Sequence, residues 1–66
     1  MDKKRNKIVS EGVYFHLIQA LSLLAQLDLS GLGPLEEKEW NDRVTNCRNA
    51  LEFTKDLAKK LSALFE

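Results

Sequence analysis

A single cysteine, Cys47, rules out an intrachain disulfide. A lone thiol on an apolar stripe fits a reducing compartment, most simply the cytoplasm. The one histidine, His16, has no partner at ligand spacing. No set of Cys, His, Asp or Glu residues offers the ligands of a metal site, and none is expected. No apolar run approaches the ~18 residues of a membrane span. The basic start followed by Val13 to Ala25 has the outline of a signal peptide, but Glu11, His16 and Gln19 interrupt it. Proline occurs once and glycine three times, so helix breakers are confined to a few points. The chain carries no net charge, with ten basic and ten acidic residues, which argues against nucleic-acid binding by bulk charge. The distribution is uneven. Lys3, Lys4, Arg5 and Lys7 against Asp2 give the first ten residues +3, and the rest carries −3.

What is present is helical periodicity. Trp40, Val44, Cys47, Leu51, Thr54, Ala58, Leu61 and Phe65 alternate steps of four and three. That is an a/d heptad seam, and nothing in the stretch alternates with the period of a strand. Val13, Leu17, Ala20, Leu24 and Leu27 repeat the pattern earlier. Between the two seams lies Leu29-Ser-Gly-Leu-Gly-Pro-Leu35. Gly31 suits a left-handed residue after a helix end, and Pro34 suits the first position of the next helix. Glu36, Glu37 and Glu39 complement the positive helix start, and Lys59 and Lys60 the negative end. The first helix is expected to begin either in the basic tail or near Ser10, a candidate N-cap. The 66 residues therefore read as one all-α domain: a basic tail over 1–7, a helix over about 8–29, a loop over about 30–34 and a helix over about 35–65.

A short loop makes the helices antiparallel neighbours. The second helix, being longer, is expected to overhang the first at its far end, carrying Leu61, Leu64 and Phe65, unless the basic tail is helical too. Trp40 is expected to plug the loop end against Leu24 and Leu27, and Cys47 to be buried in the seam. One hairpin cannot bury both apolar arcs. With the two seams facing each other, Tyr14, Ile18, Leu21, Leu57 and Leu64 would line an open flank, to which the overhang adds Leu61 and Phe65. Those side chains are worth about 1.5–3 kcal/mol each when buried, so an oligomer interface is expected there, as in a dimeric four-helix bundle.

Catalysis finds no foothold. His16 borders the polar face, Glu36, Glu37 and Glu39 point to different sides of their helix, and Gly31 and Gly33 lack the Lys and hydroxyl of a phosphate loop. No catalytic residue, cofactor or small-molecule substrate is expected. The polar face of the first helix is more informative. Phe15 lies there among Gln19, Ser22 and Gln26, an aromatic ring flanked by hydrogen-bonding groups, which is the composition of a recognition surface.

Phe15, Gln19, Leu21, Leu23, Leu24 and Leu27 form the pattern F-x3-Q-x-L-x-LL-x2-L. This run resembles the first helix of the Rop-type plasmid copy-number regulators. Those proteins are antiparallel hairpins that dimerise into four-helix bundles and bind a pair of kissing RNA hairpins through the outward faces of their first helices. The resemblance implies that Phe15 and Gln19 match an RNA-contacting aromatic and amide, with Lys4 as a basic contact. Glu11 stands where the family has a neutral amide and Gln26 where it has a lysine, departures that disfavour phosphate. In size and shape the chain is also similar to the hairpin co-chaperones of type III secretion needles, which cover apolar helices of a partner. The expectation is a cytoplasmic, non-enzymatic regulator or adaptor that self-associates and binds a protein, with RNA as the alternative partner.

Overall fold

The computed structural model describes all residues, Met1–Glu66, and contains two helices, α1 (Lys3–Leu24) and α2 (Pro34–Leu64). They pack side by side as an antiparallel hairpin about 51 Å long and 15 by 13 Å across. The fold is all-α, as the heptad spacing predicts.

The first helix begins five residues earlier than the sequence suggests. Asp2 adopts an extended conformation and its side chain accepts the Arg5 N–H at 3.0 Å. Its carbonyl accepts the Asn6 N–H at 3.0 Å. That cap satisfies orphan donors and places a carboxylate at the positive helix end, which offsets the repulsion of the four cations that follow. The basic segment is therefore the first turn of α1 and not a tail. Ser10, expected as the cap, lies inside the helix with its hydroxyl donating to the Asn6 carbonyl.

The same helix ends earlier than predicted, at Leu24. Its last turn tightens: the Gln26 and Leu27 N–H groups donate to the Leu23 and Leu24 carbonyls. Asp28 then closes an Asx turn, accepting the Ser30 N–H at 2.9 Å. Hydrogen bonding to Ser30 holds the Asp28 carboxyl below the ordinary carboxylate range. The loop Ala25–Gly33 contains no residue with positive φ. Gly31 thus does not make the left-handed cap its position suggests, because the helix has already stopped at Leu24, well before it. Pro34 behaves as expected: it opens α2 after Gly33, which is the extended N-cap, with Glu36 and Glu37 in the first turn.

The helices face each other along Ser10, Tyr14, Leu17, Leu21 and Leu24 on α1, and Val44, Leu51, Lys55, Ala58 and Ser62 on α2 with its C-cap Phe65, all buried or half-buried. This is the predicted pairing rotated. Leu17, Leu24, Val44, Leu51, Ala58 and Phe65 stay inside, but Val13, Leu27, Cys47 and Leu61 are exposed. Only Ala58 (3% exposed) and Ser10 (7%) are fully buried. Both are small, and both lie between the Lys7–Glu66 ion pair and the Tyr14–Lys55 neighbours that set the register. Small residues at this level let the backbones approach, which turns Tyr14 inward over α2. Lys55 takes a seam position by laying its stem along the interface while its ammonium reaches Glu52 at 2.9 Å. That pairing raises the Lys55 pKa above its ordinary value.

Because Lys7 meets Glu66 at 3.9 Å, the first turns of α1 cover the end of α2. The excess length of the 31-residue α2 over the 22-residue α1 lies at its start, because the basic segment is helical and covers the far end. Trp40 sits on this overhang and is 46% exposed, with the Arg43 guanidinium 4.7 Å from its ring centre. It does not seal the loop end, because α1 has stopped before reaching it.

Candidate functional site

Turning each helix by 100° per residue sorts the outward side chains into three surfaces. In an antiparallel pair, forward rotation from the shared interface leads to the same side on both helices. That side carries Lys7 and Glu11 from α1, and Arg48, Glu52, Asp56, Lys59 and Glu66 from α2. Its ion pairs, Lys7 with Glu11 and Lys7 with Glu66, are both at 3.9 Å. It is a solvated, charged side, and exposed pairs of this kind contribute little.

Backward rotation leads to the opposite side, which is apolar over most of its length. Val9 and Val13 of α1 lie there beside Leu57, Leu61 and Leu64 of α2, all exposed. Ala20, Thr54 and Cys47 continue the strip towards the loop, and Leu23 and Phe53 edge it. Covering the five aliphatic side chains would contribute roughly 4–8 kcal/mol, taking about half the full-burial value for each. That is comparable with the whole stability of a small domain, and a hairpin with two buried residues has little core of its own.

The expected oligomer flank is therefore only partly assembled. Leu57, Leu61 and Leu64 are exposed together on the apolar side. Tyr14, Leu21 and Phe65 are half-buried between the helices and do not form an open flank. Ile18 is exposed on the other side of α1. The structure puts Val9 and Val13 where the sequence reading placed Tyr14 and Leu21. The spacing of Val9 and Val13, four apart, was visible in the sequence, but Val13 fits the inner seam equally well on periodicity alone.

The third surface is the outer face of α1. Lys4, Phe15, Gln19 and Ser22 all lie on it and are exposed. Phe15 is 62% exposed and is steered by an edge-to-face contact with Tyr14, ring centres 5.6 Å apart at 70°. Gln19 and Ser22, with Ile18 and Leu23, line a shallow groove. Gln26 is not on the helix: it falls in the loop, beyond the last turn of α1. Glu11 borders this face from the charged side.

No group of three or more His, Cys, Asp or Glu side chains gathers where a metal could be held. Neither helix is long and apolar enough to cross a membrane. Among known proteins, the chain matches no family model, no curated protein and no solved structure.

Proposed function

We propose that this chain is a small, non-enzymatic regulator or adaptor of the reducing cytoplasm that works by binding other macromolecules, chiefly proteins, as an oligomeric helical bundle. The observation that carries this reading is the one-sided distribution of exposed aliphatics. Val9, Val13, Leu57, Leu61 and Leu64 share one side of the hairpin, while the opposite side is charged. A contiguous apolar side on a thin rod is the usual signature of a surface that is covered in use. A second hairpin would complete a four-helix core of the kind such rods build.

Sedimentation equilibrium tests the assembly. The wild type is expected to show at least a dimer mass at micromolar concentration. Leu57→Glu, which places a charge in the middle of the apolar side, should give a monomer or an unfolded chain. A well-folded wild-type monomer at all concentrations would refute the reading. Affinity capture of the tagged protein, with protein and RNA both identified, then names the partner class.

A second reading, an RNA-binding regulator of the Rop type, draws on the outer face of α1. Lys4, Phe15 and Gln19 are exposed on that face, beside Ser22, which supports this reading. Against it, Glu11 borders the face and no lysine or arginine other than Lys4 lies on it, whereas an RNA reader gathers cations around its aromatic contact.

A further inference from the structure

Resting on the assembly proposed above, we infer that α2 carries a second heptad seam of Cys47, Ala50, Thr54, Leu57, Leu61 and Leu64, and that its occupant is the same seam of another copy running the opposite way, each leucine seated on a small residue.

The seam follows from spacing. Its positions alternate steps of three and four, and at 100° per residue they fall on one stripe about 100° wide. That stripe lies about a quarter turn from the line of Val44, Leu51 and Ala58 that faces α1, where a helix of a four-helix bundle meets its second neighbour. Every residue of the stripe is exposed in the single hairpin. The Thr54 hydroxyl already donates to the Ala50 carbonyl at 2.9 Å, so it enters an apolar contact with no bond left unmade.

Size is uneven along the seam. The leucines occupy the half beside the basic turns of α1, and the small residues occupy the half towards the loop. Antiparallel pairing about a two-fold axis between Lys55 and Asp56 sets Leu57 on Thr54, Leu61 on Ala50 and Leu64 on Cys47 of the other copy, each contact made twice by symmetry. The same axis passes the middle of α1, at Val13 and Tyr14, because Tyr14 lies beside Lys55. Each α1 is therefore spanned along its whole length, and Val9 falls near Ala20 of the other copy. The alternative stacking, with loops together, would set Val9 and Val13 against Leu61 and Leu57, and Ala20 against Ala50. One end would be crowded and the other hollow. Interiors pack to near-uniform density, which selects the reversed pairing.

Charge agrees. Residues 1–10 with 58–66 hold six cations against two anions, a side-chain charge of +4. Loops together would place two such poles side by side. Reversal lays each along the second half of the other α1, where Gly12–Leu27 contains no Asp, Glu, Lys or Arg. The exposed parts of the seam, with Val9 and Val13, amount to roughly 600 Å² per copy, at the lower edge of what stable complexes bury.

Leu64→Cys, beside the native Cys47, tests the pairing. Within one chain the two positions are 17 residues apart on one helix, about 26 Å, too far for a disulfide. Mild oxidation of the assembled variant should give a covalent dimer joined between position 47 of one copy and position 64 of the other, read by mass spectrometry of the linked peptides. A size swap gives a second reading. Ala50→Leu should weaken the dimer at least about tenfold in sedimentation equilibrium, because each new side chain meets Leu61 of the other copy. Adding Leu61→Ala should restore it, with helicity by circular dichroism unchanged throughout. Bonds joining 47 to 47 or 64 to 64 in an intact dimer, or a swap that fails to restore association, overturn the seam but leave the assembly standing. A wild-type monomer at every concentration overturns the assembly itself.

Discussion

Lys7 of α1 reaches Glu66 at the close of the chain, Nζ to Oε1 3.9 Å, and this pair fixes which end of the longer helix is left uncovered. The ion pair is solvent-exposed and contributes little by itself. Its meaning is geometric. It brings the basic first turn of α1 alongside Phe65, so the unpaired turns of α2 are those beginning at Pro34.

Ser10 and Ala58 are the two fully buried residues of the hairpin. Ala58→Leu should cost about 1–3 kcal/mol, because the helices would have to separate to admit the side chain. Ser10→Ala should stay within about 0.5 kcal/mol of wild type, since its hydroxyl only returns to a carbonyl of its own helix. Urea denaturation followed by circular dichroism measures both. Equal tolerance of Leu and Ser at position 58 would show that the helices do not meet there.

Gly12 lies in the middle of α1, and a methyl group built there meets nothing within 4 Å. Gly12→Ala should therefore stabilise the protein by about 0.5–1 kcal/mol through helix propensity. For a domain of this size the melting temperature should rise by roughly 4–8 °C per kcal/mol. A lower melting temperature would mean that the space is occupied in the assembled protein.

Cys47 is exposed in the single hairpin and sits on the apolar strip. Its reaction with a thiol reagent should be fast in dilute solution and should slow as concentration rises through the assembly transition. Cys47→Ala should change stability little. A rate independent of concentration would remove Cys47 from any interface between copies.

Phe15→Ala and Gln19→Ala should leave helicity and oligomer mass unchanged, because both side chains are largely in solvent. If the outer face of α1 is the working surface, each should weaken partner capture. Salt separates the partner classes: an RNA complex should weaken steeply as salt is added, and a protein complex held by ring and amide contacts only slightly. Loss of stability by the ~3–5 kcal/mol typical of a core aromatic would instead place Phe15 inside a larger bundle.

The helices, their order and the entry into α2 were legible because each rests on local chemistry: heptad spacing, Pro34, and acids in the first turn. The cap at Asp2 was equally local, but the run of cations behind it argued the other way, and only the side-chain bond to Arg5 decides. Rotation about the helix axes was not legible. Val13 and Tyr14 are adjacent apolar residues, and either can face inward on periodicity alone. The choice follows from Ser10 and Lys55, polar residues that a count of hydrophobic positions leaves out. Phe15, Gln19 and Ser22 lie exposed on the outer face of α1. Gln26 was lost from it because the Asx turn at Asp28 draws the chain out of the helix first.

The nine-residue loop Ala25–Gly33, built wholly from ordinary backbone conformations, also separates two events in time. Closing a loop of about this length takes roughly 10–100 ns, and hairpins rich in local contacts fold in microseconds to milliseconds. Meeting a second copy is bimolecular and far slower at cellular concentrations. Each newly made chain would thus pass through a folded but solitary stage with its aliphatic side bare. During that stage it is open to whichever apolar helix it encounters first, so the relative abundance of copies and competitors, and not the speed of folding, would govern what it ends up bound to.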